Sequence, residues 1–141
     1  MRTLLIGFCA FLGFVALLTL LLPTGERVTL HTVDEQGRGY ESALWVVELP
    51  GAGLHLRSGD PASGWLTRLA LHPLVELERG GEAGHYRAVV VAEGDLRRVV
   101  NEAMARKYGA ADRLVRRFVD VERSVPVRLE PIEGLGHAPG H

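Results

Sequence analysis

The chain has one cysteine in 141 residues. It is Cys9, inside a long apolar run, so the rest of the molecule has no disulfide and no thiolate chemistry. Lysine is almost missing too: Lys107 is alone among 16 basic residues. Neither sign of charge is in excess, since those 16 face 17 acidic residues for a formal net charge of −1. That balance excludes the electrostatic footprint of a nucleic-acid binder. There is no Gly-x-Ser-x-Gly elbow and no Walker loop. His-x-x-x-His spacing occurs only at the terminal His137 and His141, where Pro139 and Gly140 rule out the helix that would present both on one face; His31 and His55 fall in strand-like segments and His72 precedes a proline. No metal motif is legible, although a His–acid dyad formed across strands stays open.

The chain does contain a long uncharged stretch. Thr3 to Leu22 (TLLIGFCAFLGFVALLTLLL) is 20 residues without a charge. A helix of that length spans about 30 Å, the thickness of a bilayer's hydrocarbon core. The run is longer than a signal-peptide core, and no small-x-small cleavage site follows Leu22. Phe8 before Cys9 does not suit a lipoprotein signal. An uncleaved single-pass membrane anchor is expected, with residues 1–25 as anchor and hinge. Arg2 leans towards an inside N-terminus and a domain outside, against Arg27 and Arg38 on the other flank. Residues 26–132 suffice for one small domain. The end of the chain from Pro131, rich in Gly, Pro and His, reads as unstructured, with 133–141 as the tail beyond the domain.

Alternation and turn chemistry divide the domain. Arg27–Asp34, Glu41–Leu49 and a segment from Leu54 to Arg57 read as strands, the last two joined by Pro50-Gly51-Ala52-Gly53, which permits positive φ. A short helix is predicted over Trp65–Leu71, with Ser63 as its cap and Pro73 ending it. Leu74–Arg79 alternates cleanly as a fourth strand, and His85–Ala92 follows as a fifth. Asp95–Tyr108 carries Leu96, Val99, Val100, Ala103 and Met104 at helical spacing and stops at Gly109. A second short helix is predicted over Ala111–Asp120, with Leu114, Val115 and Phe118 on one face. Ser124–Glu130 is the last strand, and Pro126 puts it at an edge or a bulge. Six strands with helices after the third and fifth imply a mostly antiparallel α+β barrel that hides its strand edges.

Leu44-Trp45-Val46-Val47, Gly53 to Gly59, and Gly64-Trp65-Leu66-Thr67-Arg68 running to His72-Pro73-Leu74-Val75-Glu76-Leu77 together resemble the deazaflavin (F420)-dependent nitroreductase and quinone reductase family. The markers are a Trp opening a short helix and an x-x-Pro-x-Val-x-Leu return into a strand. Ala105-Arg106-Lys107-Tyr108 and Ser124-Val125-Pro126-Val127 also fit, so the likeness covers roughly Val28 to Ile132. The resemblance implies a six-stranded split β-barrel of the pyridoxamine-phosphate-oxidase type. It implies F420 or FMN as cofactor, and a homodimer with sites at its interface. Many members have a Gly-Arg-Lys-Ser-Gly turn that helps hold the cofactor phosphate. Here the turn is Gln36-Gly37-Arg38-Gly39-Tyr40-Glu41, without the Lys and Ser.

Arg57-Ser58-Gly59 with Ser63-Gly64-Trp65 is the best candidate site. A glycine-containing loop entering a helix offers free amides and a positive dipole end to an anion. Arg57 and Arg68 would add charge-assisted contacts, and Lys107 completes the cofactor-binding set. The bland reading is a surface loop and a helix cap. Trp65 either packs in the core or lines the cofactor cleft. Tyr108 matches the region where the family places tyrosines over substrate, so Tyr108 and Trp65 are the catalytic-side pair. Arg97, Arg98, Arg106, Lys107, Arg113, Arg116 and Arg117 make the helical pair basic. They would suit an acidic cofactor tail or anionic lipid, or else form a solvated face with the local pairs Glu102–Arg106 and Asp112–Arg116.

Two functions follow from the resemblance. One is a membrane-anchored reductase passing hydride from F420 or FMN to a quinone or nitro compound. Its lipophilic substrate would dissolve in the same bilayer as the anchor, so tethering raises the encounter rate. The other is a non-catalytic, membrane-tethered accessory module that has lost its cofactor. A haem-binding barrel would have the histidines but no ligand pattern.

Overall fold

A computed structural model describes residues 26–91 and 94–132. The alternation in β1 (Arg27–Val33) has direct consequences: Val28, Leu30 and Thr32 are buried and the residues between them face outward. In β2 (Gly39–Leu49) and β3 (Gly53–Ser58) the alternation breaks where both faces are covered: Val46 and Val47 are buried together, as are His55 and Leu56. Helix α1 (Gly64–Leu71) leads to β4 (Leu74–Arg79) and β5 (Glu82–Val90). Helices α2 (Gly94–Tyr108) and α3 (Ala110–Val115), a 3-10 turn (Val121–Arg123) and β6 (Val125–Pro131) complete the order. The strands form a closed barrel in the order β1-β2-β3-β6-β5-β4. Every neighbouring pair is antiparallel, and a short β1–β4 ladder from Thr29↔Glu78 to His31↔Glu76 closes the ring.

Two apolar clusters hold it. Inside, Val28, Leu30, Val46, Leu56, Val75, Leu77, Ala88, Val127 and Leu129 fill the barrel, and α1 contributes Trp65, Leu66 and Leu69 to the same core. Outside, α2 covers Val47 and Leu49 of β2 with Val100, Ala103, Met104 and Tyr108. Burying each large apolar side chain contributes about 1.5–3 kcal/mol, so both clusters are needed to fix a domain this small.

The strands and helices match the expected order, and the differences have local causes. β5 begins at Glu82 rather than His85, because Gly80 and Gly81 both take positive φ (58° and 83°) in a two-residue turn and pairing resumes at once as Arg79↔Glu82. The second short helix ends at Val115, not Asp120. Asp120 instead caps the 3-10 turn through its carboxylate, accepting from the Glu122 N–H at 3.0 Å. Phe118 therefore does not share a helix face with Leu114 and Val115; it is 82% exposed. β6 is no edge strand, since it lies between β3 and β5 in the closed ring. Pro126 is tolerated because it is the second residue of that strand, where the ladder starts. Pro131 belongs to β6, and the Ile132 N–H bonds His85 O at 3.2 Å.

The Thr3–Leu22 run expected to anchor the chain lies outside the described residues, as does the 133–141 tail with His137 and His141. Among the described residues no helix is long and apolar enough to cross a membrane.

Candidate functional site

The loop between β3 and α1 is tied from within. Ser58 is buried, and its Oγ lies 2.7 Å from Ser63 Oγ and donates to Asp60 O at 2.7 Å. The Asp60 carboxylate accepts from the Ala62 N–H at 2.9 Å, and Asp60 O accepts from the Ser63 N–H at 3.1 Å. Ser63 occupies the N-cap position of α1 with extended backbone, yet its hydroxyl is turned to Ser58 and does not cap the helix. The first-turn amides of α1 are left without a side-chain acceptor, which is the arrangement that favours an anion.

This loop forms one wall of a cleft of about 660 Å³. Ser58, Gly59 and Ser63 face it from the loop, Trp65 and Leu44 from the barrel, and Phe118, Val119 and Arg123 from the segment after α3. Gly59 is required by packing: a Cβ there would lie 2.8 Å from Val119 Cγ1. Trp65 belongs to the barrel core at 7% exposure and also lines this cleft. A second hollow of about 350 Å³, lined partly by Arg27, Trp45 and Val115, shares Leu44, Arg57, Gly59 and Val119 with the first.

Arg57 is at the cleft, but its guanidinium is committed. Its side chain is 7% exposed, donating to Asp112 Oδ1 at 2.7 Å and to Asn101 Oδ1 at 3.2 Å. Asp112 is fully buried and also accepts from Arg116 Nε at 2.6 Å. Asn101 in turn donates to Val121 O and accepts from Ser124 Oγ. This network locks β3, α2, α3 and the 3-10 turn into one wall. Arg123 is the other cation lining the cleft, and among the described residues its side chain has no acid partner.

The remaining expected site residues lie elsewhere. Arg68 turns to β1 and β2, donating from Nε to Thr32 Oγ1 at 2.7 Å with its guanidinium 4.2 Å from the Tyr40 ring centre. It passes close over Gly64, where a Cβ would meet its NH1 at 3.0 Å. Lys107 and Tyr108 pin α2 to the barrel. Beyond the last β1–β2 pair, Arg27↔Trp45, the Val46 backbone needs other partners. Lys107 Nζ donates to Val46 O at 2.8 Å, and the Tyr108 hydroxyl accepts from the Val46 N–H at 3.1 Å and lies 2.7 Å from Glu26 O. Tyr108 is 2% exposed and stacks on Trp45 at 4.3 Å. In this arrangement its ring faces neither hollow. Glu26 accepts from Arg79 and Lys107, and these hydrogen bonds, Arg79's first, lower its pKa to about 2 despite partial burial.

Of the basic residues on the helical pair, Arg97, Arg98, Lys107 and Arg116 have local partners. Glu102 pairs with Arg98 at 3.9 Å rather than with Arg106, whereas Asp112–Arg116 forms as its spacing suggests. Asp112, Asn101, Phe118, Val119 and Arg123 were not singled out for the site by sequence. Their only legible signal was the i, i+4 spacing of Asp112 and Arg116.

No protein-family model and no curated protein matches the chain. Solved structures do match. A conserved hypothetical protein of Mycobacterium tuberculosis superposes with a TM-score of 0.62 at 20% identity, over 77% of this chain and 74% of that one. The haem storage protein HutZ of Vibrio cholerae gives 0.61 at 19% identity, over 79% and 84%. The fold is the split β-barrel. An F420 reductase shares this split barrel with a TM-score of 0.52 at 16% identity, over 79% of this chain and 90% of that one. At these identities the likeness carries the fold alone, so what the split barrel binds here must be argued from its own residues.

Proposed function

We propose that the cleft holds the anionic end and ring of a deazaflavin or flavin cofactor, and that the protein is a membrane-tethered oxidoreductase acting on a quinone or nitro compound. One observation carries this reading. The Ser58–Ser63 clasp leaves the first turn of α1 uncapped at the edge of a cleft walled by Trp65, Phe118 and Val119. Amides and a helix dipole suit a phosphate, and the apolar wall suits a flat ring. The donor set therefore fits such a cofactor in kind. The α1 amides, kept open by the Ser58–Ser63 clasp, and Arg123 would bind and orient the phosphate, while Leu44 and Trp65 would exclude water from one ring face. When bound, the reduced cofactor supplies a hydride and the quinone or nitro compound accepts it. An F420 reductase has the same fold, so a split barrel can house this class of chemistry. An anchor at Thr3–Leu22 would give a lipophilic substrate and the domain a shared membrane. A homodimer would cover exposed apolar residues such as Leu74 and Val90.

A second reading has its own observation. Arg57, the strongest expected phosphate ligand, is bound to Asp112 and Asn101, and Asp60 and Asp120 place carboxylates at the cleft. A barrel that has lost its cofactor and serves as an accessory module is consistent with that. Titration decides between them. In a Trp45→Phe background, which keeps an aromatic ring against Tyr108, Trp65 is the sole tryptophan and reports on the cleft. The full chain in detergent is titrated with F420 and with FMN. Saturable quenching on the order of tens of micromolar or below, weakened by Phe118→Ala, supports the cofactor reading. No binding of either at that level leaves the accessory module.

A further inference from the structure

The outer wall of the barrel carries a row of alternating acids and histidines that the cleft does not use. Glu41 on β2 pairs with His31 on β1, His31 pairs with Glu76 on β4, and Glu76 pairs with His85 on β5. Direct cross-strand partners project to the same face. Since Leu30, Thr32, Val75 and Leu77 point into the barrel, His31, Glu76 and Glu78 point out together. One donor atom from each of these three lies within 4.8 Å of the others.

The histidine at the centre of this row has an unmet requirement. His31 Nε2 has essentially no accessible surface and no hydrogen-bond partner. Its nearest acid is Glu78 Oε1 at 3.4 Å, and on the other side of the ring Nδ1 faces Glu41 Oε1 at 3.7 Å. A ring nitrogen shielded from water and left unpaired is costly, and three carboxylates around one imidazole repel each other. A dication between Nε2 and the β4 glutamates relieves both. It also gives Glu41 the position held by the carboxylate that fixes a metal-bound imidazole through its far nitrogen.

We propose that His31 Nε2, Glu76 and Glu78 bind a divalent transition-metal ion on the outer wall of the β1–β4 seam, with Glu41 orienting the imidazole. One imidazole and two carboxylates select a first-row ion such as zinc, manganese or cobalt over magnesium or calcium, which prefer all-oxygen sets. Bonds of about 2.0–2.2 Å require the three donors to close by about 1 Å, which the partly exposed glutamates allow. Glu78 is half exposed, so water or an external ligand can complete the coordination from the solvent side. The site shares no residue with the cleft, and it joins the two strands whose short ladder closes the barrel.

The full chain in detergent, stripped with a chelator, is titrated with zinc by calorimetry and with cobalt by visible absorption. The proposal expects one equivalent bound, with cobalt bands of a site containing nitrogen. His31→Ala and Glu78→Gln abolish it, and Glu41→Gln weakens it by about 10–100-fold. A His137→Ala/His141→Ala double variant, which removes the terminal histidines, leaves it unchanged. In the unmodified protein cobalt broadens the His31 ring resonances first, a readout that does not depend on how any variant folds. The proposal is overturned by the absence of stoichiometric binding. It is overturned equally by binding that survives His31→Ala, by binding lost with the terminal histidines, or by cobalt that leaves the His31 ring signals sharp.

Discussion

Replacing Asp112 with alanine removes the buried acid that ties β3 to α3. Asp112 is fully buried and takes hydrogen bonds of 2.7 Å from Arg57 and 2.6 Å from Arg116. Without it the Arg57 guanidinium, 7% exposed on β3, keeps only the 3.2 Å contact to Asn101. Stranding one partner of a buried ion pair costs about 3–5 kcal/mol, far above the ~1 kcal/mol of an exposed pair. In a domain with a total stability of about 5–15 kcal/mol, that is a large fraction. At roughly 4 °C per kcal/mol it lowers Tm by about 12–20 °C. Urea unfolding followed by tryptophan fluorescence, with calorimetry for Tm, measures the loss. Arg57→Met combined with Asp112→Leu should recover most of it, because no charge is then left buried. A loss below about 1 kcal/mol for Asp112→Ala would show that Arg57 finds water or another acid. The wall of the cleft would then not be the rigid unit inferred here.

Other perturbations test the remaining joints. The Glu26 carboxyl is held at about 2, against an ordinary value of 4.5, by Arg79 and then Lys107. Its contribution is therefore complete above about pH 4.5 and fades as pH falls towards 2; partial exposure limits it to about 1 kcal/mol. Glu26→Gln should flatten that acid limb in urea titrations at about pH 6 and about pH 3, and an unchanged limb would refute the assignment. Tyr108→Phe strips the partner from the Val46 N–H and should cost about 1–3 kcal/mol in the same assay. Gly59→Ala pushes a methyl to within 2.8 Å of Val119 Cγ1 and should destabilise by about 1–3 kcal/mol, with ligand binding in the cleft altered in parallel.

Much of the barrel was legible because its strands alternate and its turns are marked by glycine. β4 matches its expected limits to the residue: Leu74-Val75-Glu76-Leu77-Glu78-Arg79 puts apolar residues on one face and charge on the other. α2 was legible from its apolar spacing and Gly109, whose φ of 52° ends it. β5 was harder, since Ala83 and Gly84 give no alternation, and its true start depends on a two-glycine turn. The 116–120 segment was read as helix because its charges and apolar residues have helical spacing, whereas Asp120 uses its side chain to start a different turn. The site was less legible for a physical reason. Arg57 and Asp112 are 55 residues apart, and nothing local to either announces the other. Asp112–Arg116 was visible as a spacing, but spacing cannot distinguish an exposed pair from one that is buried and shared. The His31 group is the same case: its ligands lie on two strands that only barrel closure makes neighbours, so a search for histidine spacing passes over it.

The fate of Arg57 also narrows what the cleft can bind. A phosphate there meets the α1 amides and Arg123, but no free Arg57, and the Ser58 and Ser63 hydroxyl protons are spent inside their clasp. It also meets Asp60 and Asp120, although each of those carboxylates is engaged by a backbone N–H, from Ala62 and Glu122. Acceptors tied to amides repel an anion less than free ones. The attraction then depends on Arg123, which among the described residues has no acid partner, and on the helix dipole, both of which are weakened by salt. A cofactor held this way should bind through its ring against Trp65 and Phe118 more than through its phosphate. Under the cofactor reading, riboflavin should lose little affinity relative to FMN, and raising the salt should matter little. A binder dominated by phosphate contacts would show the opposite on both counts, and would require Arg57 to leave Asp112.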